Sequence, residues 1–340
     1  MLVGPPTPSR CRWLVVGAAI VAMAAPLAAC GSSESGPLAR WPRVEIGKKR
    51  SLVAVEAGRL LAVVPDGDKV VGFSTLGHGT TRLRVPEGVH AVAAKDGDLW
   101  VDGRGRTNET TNSWFVYRVD ARTGKVLAEI DPNPIQILYS LVGADGSIWG
   151  VGVSDDDDRG YVVRVDPKTD QIIATITVPS DVGSIAVRAD AVWVTGANGQ
   201  MLTRIDPTTN RVVARIKVGW GPQGVAADAG SVWVPLYRGE LVRVDATTNR
   251  VVGRTEIGDA LHSVAAGGGS VWVTNARKLE DNPDPPDHQW LFQVDPATGH
   301  VRERYDFPDE GLALGDPVVV AAGEEVWAQF AGTAYQVSAP

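Results

Sequence analysis

The sequence predicts an all-β fold, a seven-bladed β-propeller of four-stranded antiparallel blades in which the N-terminal strand completes the last blade. Three observations predict it. A small turn followed by an apolar–Trp–apolar strand recurs about every 40 residues; five of the copies lead into an Asp-containing hairpin turn; and the two chain ends hold complementary parts of one unit. Fixed-period self-similarity marks a repeat architecture, and four short strands per period with no helix-period segment is the pattern of a propeller.

The Trp strand appears as GDLWV (97–101), GSIWG (146–150), DAVWV (190–194), GSVWV (230–234), GSVWV (269–273) and EEVWA (324–328). A weaker seventh copy, GRLLAV (58–63), puts Leu61 where the others put Trp100, Trp149, Trp193, Trp233, Trp272 and Trp327. Before each lies a short Val/Ala-rich run, such as GVAAD (224–228) and SIAVR (184–188), whose small residues suit an innermost A strand converging on a central axis. After each Trp strand, B, comes an alternating C strand and a turn: YRVDARTG (117–124), VRVDPKTD (163–170), TRIDPTTN (203–210), VRVDATTN (242–249) and FQVDPATG (292–299). Asp bonds to nearby backbone, Pro pre-sets φ, and Gly or Asn tolerates φ > 0, so Asp166, Asp206 and Asp295 read as turn-formers rather than carboxylate ligands. A D strand follows, as in RVVARIKVG (211–219). The last unit has A, B and C strands and stops, while RVEIG (43–47) matches the D-strand ending RTEIG (254–258). The N-terminal strand therefore closes the ring and removes two open sheet edges.

Composition agrees. With 44% hydrophobic and 21% charged residues the chain is ordinary for a folded protein, and its 38 glycines and 22 prolines are spread as many turns require. The formal charge of −7 becomes −9 without residues 1–29, which carry Arg10 and Arg12 and no acid. That balance excludes sequence-independent nucleic-acid binding, which needs a basic face.

Residues 1–29 read as a signal peptide: Arg10 and Arg12, an apolar run from Trp13 to Leu27, then small residues before Cys30. The run is short for a membrane span and broken by Pro26. LAAC followed by Gly resembles the lipobox of bacterial lipoproteins, which implies diacylation of Cys30 and a protein exported and anchored on the outer face of the cell membrane. An ordinary secretory signal with an incidental Cys is the alternative. Residues 30–40 form a small, polar tether, leaving 41–340 as the propeller. Cys11 falls in the removed part, so Cys30 would stand alone without a disulfide partner.

Segment 202–234, LTRIDPTTNRVVARIKVGWGPQGVAADAGSVWV, resembles the YVTN-type, or YncE-like, propeller repeat, and the resemblance extends over nearly all of 43–340. It implies the fold and a role that is mostly binding. More distantly, the chain is similar to virginiamycin B lyase, whose family uses His and Glu with a divalent metal at a His/Glu/His spacing not found here. It is also similar to quinoprotein-type repeats, which share the D-x-x-T-G turn at 120–124 but place their Trp after that turn rather than before it.

Function on a shared scaffold must come from loops. From Trp to turn Asp the count is 20, 17, 13, 12 and 23 residues in blades two to six, so insertions fall in the B–C loops of blades two, three and six. B–C and D–A loops share one face, which makes it the candidate binding face. Its loop candidates are Arg104, Arg106 and Trp114 in 102–114, Asp155 and Asp157 in 153–160, and His288 in 275–289. The Asp155–Asp158 run reads as a solvated acidic loop rather than a calcium site, because Arg159 stands where a cation loop wants oxygen.

Ten residues before each landmark stand Ser51, His90, Tyr139, Gly183, Gln223, His262 and Pro317, one per blade around the mouth of the channel, with Arg50 and Asp316 beside two of them. These could line a small polar pocket, or be solvated rim residues. Two functions follow. The first is a surface-anchored, monomeric binding or scaffold propeller, needing no cofactor, whose partner is a protein, a cell-wall polymer or a small molecule. The second is a metal-assisted lyase or hydrolase using His90, His262 and Tyr139, which requires the two imidazoles to reach one divalent ion. No metal motif or nucleophile motif stands in the sequence to name a catalytic residue.

Overall fold

Period-two alternation around each landmark makes a strand, and successive strands pair through hairpins. The computed structural model describes residues 41–338 except 47–50, 57–58, 64–68, 75–79, 90, 105–113, 155–156, 158, 180, 197–198, 276–288, 308–316 and 331. The chain divides into residues 1–34 and 35–340, and the account below concerns the second unit. The signal and tether, 1–29 and 30–40, lie outside the described residues.

Among the described residues, 28 strands form seven four-stranded antiparallel sheets and there is no helix. Blade one spans Ser51–Arg84, blade two Val92–Ile130, blade three Ile137–Val178, blade four Val182–Lys217, blade five Ala226–Glu256 and blade six Leu261–Phe307. Blade seven takes Val318–Ala322, Glu325–Phe330 and Thr333–Gln336 and is completed by Arg43–Glu45. Each A strand packs on the A strands of its two neighbours, blade seven on blade one included, so the sheets form a closed ring.

Closure is specific. Arg43, Val44 and Glu45 pair with Tyr335, Ala334 and Thr333, flanked by Ile46 N donating to Gly332 O and Gln336 N donating to Pro42 O, both at 2.9 Å. Thr333 Oγ1 donates to the Glu45 carboxylate at 3.0 Å, and the Trp41 ring packs 4.6 Å from that of Tyr305 in blade six. Thr333 begins a C strand at its B–C end, and Glu45 faces it. The chain therefore enters blade seven from the tight-turn face and runs toward the long-loop face.

The landmark tryptophans join the blades. All six are at most 2% exposed, and each points into the next blade: Trp100 packs with Ile148 and Val163, Trp149 with Val192 and Ile205, Trp193 with Val232 and Val244, Trp233 with Val271, Trp272 with Val326, and Trp327 with Leu60. Leu61 does the same with Leu99. Burying an indole makes each junction worth about 3–5 kcal/mol against truncation to Ala.

In blades two to five the residue facing Trp on the C strand is an arginine that lies over the indole and reaches the next blade's turn. Arg118, Arg164, Arg204 and Arg243 stand 5.8, 4.8, 5.2 and 5.4 Å from the ring centroids of Trp100, Trp149, Trp193 and Trp233. Their Nη1 atoms donate to Pro167 O, Pro207 O, Ala246 O and Ala297 O, and the first three also to Asp170, Asn210 and Asn249 side chains. The turn holds those acceptors still. Asp206 Oδ1 accepts from Thr208 N and Thr209 N, Asn210 N donates to Asp206 O, and Asn210 takes φ +55°. The same pattern holds at Asp120, Asp166, Asp245 and Asp295, each followed four residues on by an αL residue, which makes these carboxylates turn-formers.

The D strands bulge just after this turn, at Leu127, Ile173, Val213, Val252 and Arg302. An irregular outer strand is a poor template for pairing with another chain.

Candidate functional site

On the long-loop face the A strands are irregular as well. Tyr139 is an extra residue between the pairs Leu138–Gly152 and Ser140–Val151; Gly183 and Ser184 stand opposite Thr195, and His262 and Ser263 opposite Thr274. The threonine two residues after the landmark Trp fills the gap. Thr195 Oγ1 accepts from Ser184 N at 3.1 Å; Thr274 Oγ1 accepts from Ser263 N at 3.2 Å and donates to Pro317 O at 3.0 Å. Blade two uses the fully buried Asp102, whose Oδ1 accepts from Ala91 N at 2.7 Å. A bulge re-aims the side chains it carries. Here they line the axis.

The result is a cavity of about 320 Å³ at the mouth, with Tyr139, Ser140, Ser184, Gln223, His262 and Ser263 among Gly, Ala, Val and Leu. It shares Val92, Leu141 and Val264 with a deeper stretch of about 600 Å³ walled mostly by Ala and Val, with Lys95 and Asp96 at the A–B end. Polar groups at the mouth are held. Gln223 N donates to Pro235 O at 3.0 Å and its Nε2 to Gly221 O at 3.3 Å. His262 Nδ1 lies 3.3 Å from Pro317 O, where the Nδ1–H tautomer donates, and Ser263 Oγ bridges to Val319 of blade seven. Tyr139 is 47% exposed. Apart from the titratable imidazole, every described side chain on this wall is uncharged, and hydroxyl, amide, phenol and imidazole together both donate and accept.

Next to the mouth, the D–A loop of blade five carries Trp220, also 47% exposed. Tyr237 meets it edge-on with centroids 6.2 Å apart, and Arg238 Cζ lies 4.8 Å from its ring. Gly221 ties the pair to the mouth: its carbonyl accepts from both Tyr237 N and Gln223 Nε2. At φ +72°, with Tyr237 Cβ 3.1 Å from where a Cβ would stand, position 221 requires glycine.

Of the residues expected at the mouth, Tyr139, Gln223 and His262 share the cavity wall with Gly183. Ser51 starts the blade-one A strand, its side chain outside the described part. Arg50, His90 and Asp316 lie outside the described residues, as do Cys30, Arg106, Asp155 and His288. Of the loop candidates, Arg104 and Trp114 close the base of the blade-two insertion, with Arg104 Cζ 5.4 Å from the Trp114 ring. Asp157 accepts from the Tyr161 hydroxyl and lies 3.9 Å from Arg159 Nε. That bond to Asp157, followed by burial, raises the Tyr161 phenol above its ordinary value. None of the described residues of these two loops lines the mouth cavity. Among the described residues no three His, Cys, Asp or Glu side chains come together as a metal donor set.

Sequence reasoning missed Trp220, Tyr237 and Arg238, and the serines 140, 184 and 263. Trp220 had a signal, since it stands in a D–A loop rather than on a landmark strand, in GWGPQG (219–224). The serines follow the ten-before-Trp position in three blades. Compared with known proteins, the chain matches no family model and none of the curated proteins.

Proposed function

We propose that this protein is an extracytoplasmic binding module of the YVTN-type repeat class, anchored through a diacylated Cys30, which takes its ligand at the mouth on the long-loop face. The observation that carries this reading is sidedness. The chain enters blade seven on the tight-turn face, while the mouth cavity, the exposed Trp220–Tyr237 pair and the strand ends that bear the B–C insertions of blades two, three and six all belong to the opposite face. A chain tethered on one side and furnished on the other presents its furnished side to the surroundings. The segment LAAC-G at 27–31 supports the anchor, and two acyl chains suffice to hold it stably. Uncharged polar side chains held by backbone bonds suit a small molecule or the exposed unit of a protein or cell-wall polymer. A net charge of −7 disfavours nucleic acid.

The test uses intact cells. A photo-crosslinking residue at Arg238 or Tyr139 should give adducts to an extracytoplasmic partner or polymer, and one at Thr208 on the tight-turn face should not. Adducts confined to Thr208 would overturn the assigned face, and membrane retention of a Cys30→Ala variant would overturn the anchor.

A further inference from the structure

Gly221 O joins the Trp220–Tyr237 pair to Gln223 in the mouth, and we infer that the ligand is a neutral saccharide: one sugar unit in the mouth and the next units laid across Trp220. This rests on the mouth being the binding site.

The argument is chemical. Every described side chain on the mouth wall is uncharged apart from the imidazole of His262, so the described part of the wall offers no fixed charge to pair with an ionic ligand. A desolvated ion without a counter-charge is costly to bind, whereas a polyol trades its water bonds for protein ones. The wall supplies both halves of that exchange. The hydroxyls of Ser140 and Ser184, the Gln223 amide and the Tyr139 phenol can each meet a hydroxyl as donor or acceptor, and Ser263 Oγ, which donates to Val319 O, can still accept. The mouth section, about 320 Å³, is at the small end of the range for ligand sites, and below it the polar lining gives way to the deeper stretch walled mostly by Ala and Val, so the hydrogen-bonding part suits a single ring.

The aromatic surface explains the remainder. A pyranose ring has polar edges and C–H faces, and it stacks on an open aromatic face. Tyr139 and Trp220 are both 47% exposed and both at this face. Trp220 is stiffened by Tyr237 at its edge and by Arg238 over one face, which leaves the other face for stacking, and Gly221 O joins its loop to Gln223 in the mouth. A rigid, exposed indole held against a hydrogen-bonding pocket is a stacking platform with a register set by that pocket. Arg238 adds donors for ring oxygens or for an exocyclic acyl carbonyl.

Titration of the full-length protein with N-acetylglucosamine, its tetramer, cellotetraose and maltotetraose, followed by tryptophan fluorescence and calorimetry, tests the inference. At least one neutral oligosaccharide should bind saturably. Tyr139→Ala and Gln223→Ala should each weaken the monosaccharide and the tetramer alike by about threefold to tenfold, the size expected for losing one hydrogen bond to the ligand. Trp220→Ala should remove the advantage of the tetramer over the monomer and leave monomer binding in place, and Trp220→Phe should restore part of it. Unchanged thermal midpoints show that the variants fold. No saturable response to any of these sugars up to roughly 10 mM overturns the saccharide assignment. If an amino acid or a peptide then binds and Tyr139→Ala abolishes it, the mouth stands as the site and only the ligand class falls. Saccharide binding indifferent to Tyr139→Ala, Gln223→Ala and Trp220→Ala overturns both the inference and the reading beneath it.

Discussion

Arg164 lies over Trp149 of its own blade, Cζ 4.8 Å from the ring centroid, while its Nη1 donates to Asn210 Oδ1 of the next blade at 3.1 Å and its Nε to Ser147 Oγ at 2.9 Å. One side chain thus packs the wedge between two blades and fastens the neighbour's turn. Arg164→Ala should cost about 2–3 kcal/mol and Trp149→Ala about 3–5, read by urea unfolding. Arg164→Lys should recover little, because an ammonium cannot cover the indole and fork to two acceptors at once. Double-mutant analysis should give a coupling of about 1 kcal/mol or more, and strict additivity would show that stack and latch act separately.

The threonine that fills the A-strand bulge is open to a nearly isosteric test. Thr274→Val keeps the shape but removes the acceptor for Ser263 N and the donor to Pro317 O. Thr274 is fully buried, so the stranded amide should cost about 1–3 kcal/mol and the Ser263 amide should exchange faster with solvent.

Acid should act first on the turns. The Arg302 bond, helped by the amides of Thr298 and Ala297, holds Asp295 down at about 2. Asp120, Asp206 and Asp245 are shifted the same way by bonds from Thr123, Thr208 and Thr248. A carboxylate whose folded pKa is depressed contributes stability that is fully present above its unfolded value of about 3.9 and is lost as pH falls through the folded one. Thermal midpoints should therefore decline between about pH 4 and pH 2. Arg302→Ala should move the Asp295 carboxyl resonance, followed by NMR titration, back toward the ordinary range.

At the seam, Glu45→Ala removes the acceptor of Thr333 Oγ1, and Trp41→Ala removes the ring that packs on Tyr305. Each should lower stability by about 1–2 kcal/mol. Limited proteolysis should then cut in blade seven before any other blade. Uniform cleavage around the ring would show that the closing strand does not limit stability.

The scaffold was legible because its signals repeat. Six landmark tryptophans with Leu61, five Asp turns and the match between RVEIG and RTEIG specify seven blades and their closure. Counting back ten residues from a landmark reaches Tyr139, Gln223 and His262 because the hairpin between A and B strands has nearly constant length. The arginine latch was not legible. On an alternating strand Arg164 looks like any surface residue, and its partner Asn210 sits 46 positions away in the next repeat. The bulges at Tyr139 and His262 break the alternation over only one or two residues, too few to register as a period. Trp220 looked like one more indole, and its exposure depends on Gly221, Tyr237 and Arg238 arriving from two loops.

Blades one to six are each made from consecutive strands, so their pairing is local and quick to find. Blade seven is different, since Glu45 must meet Thr333 across 288 residues. In a flexible chain, closing a loop of that length costs about 5 kcal/mol of entropy. Strand assembly along the intervening six blades lowers that cost by bringing the ends together before they pair. During synthesis Arg43–Glu45 is made before every other described strand and is the last one used. It waits while the whole ring is translated, and its flanking charges, Arg43 and Glu45, keep an unpaired edge from finding the wrong neighbour in the meantime.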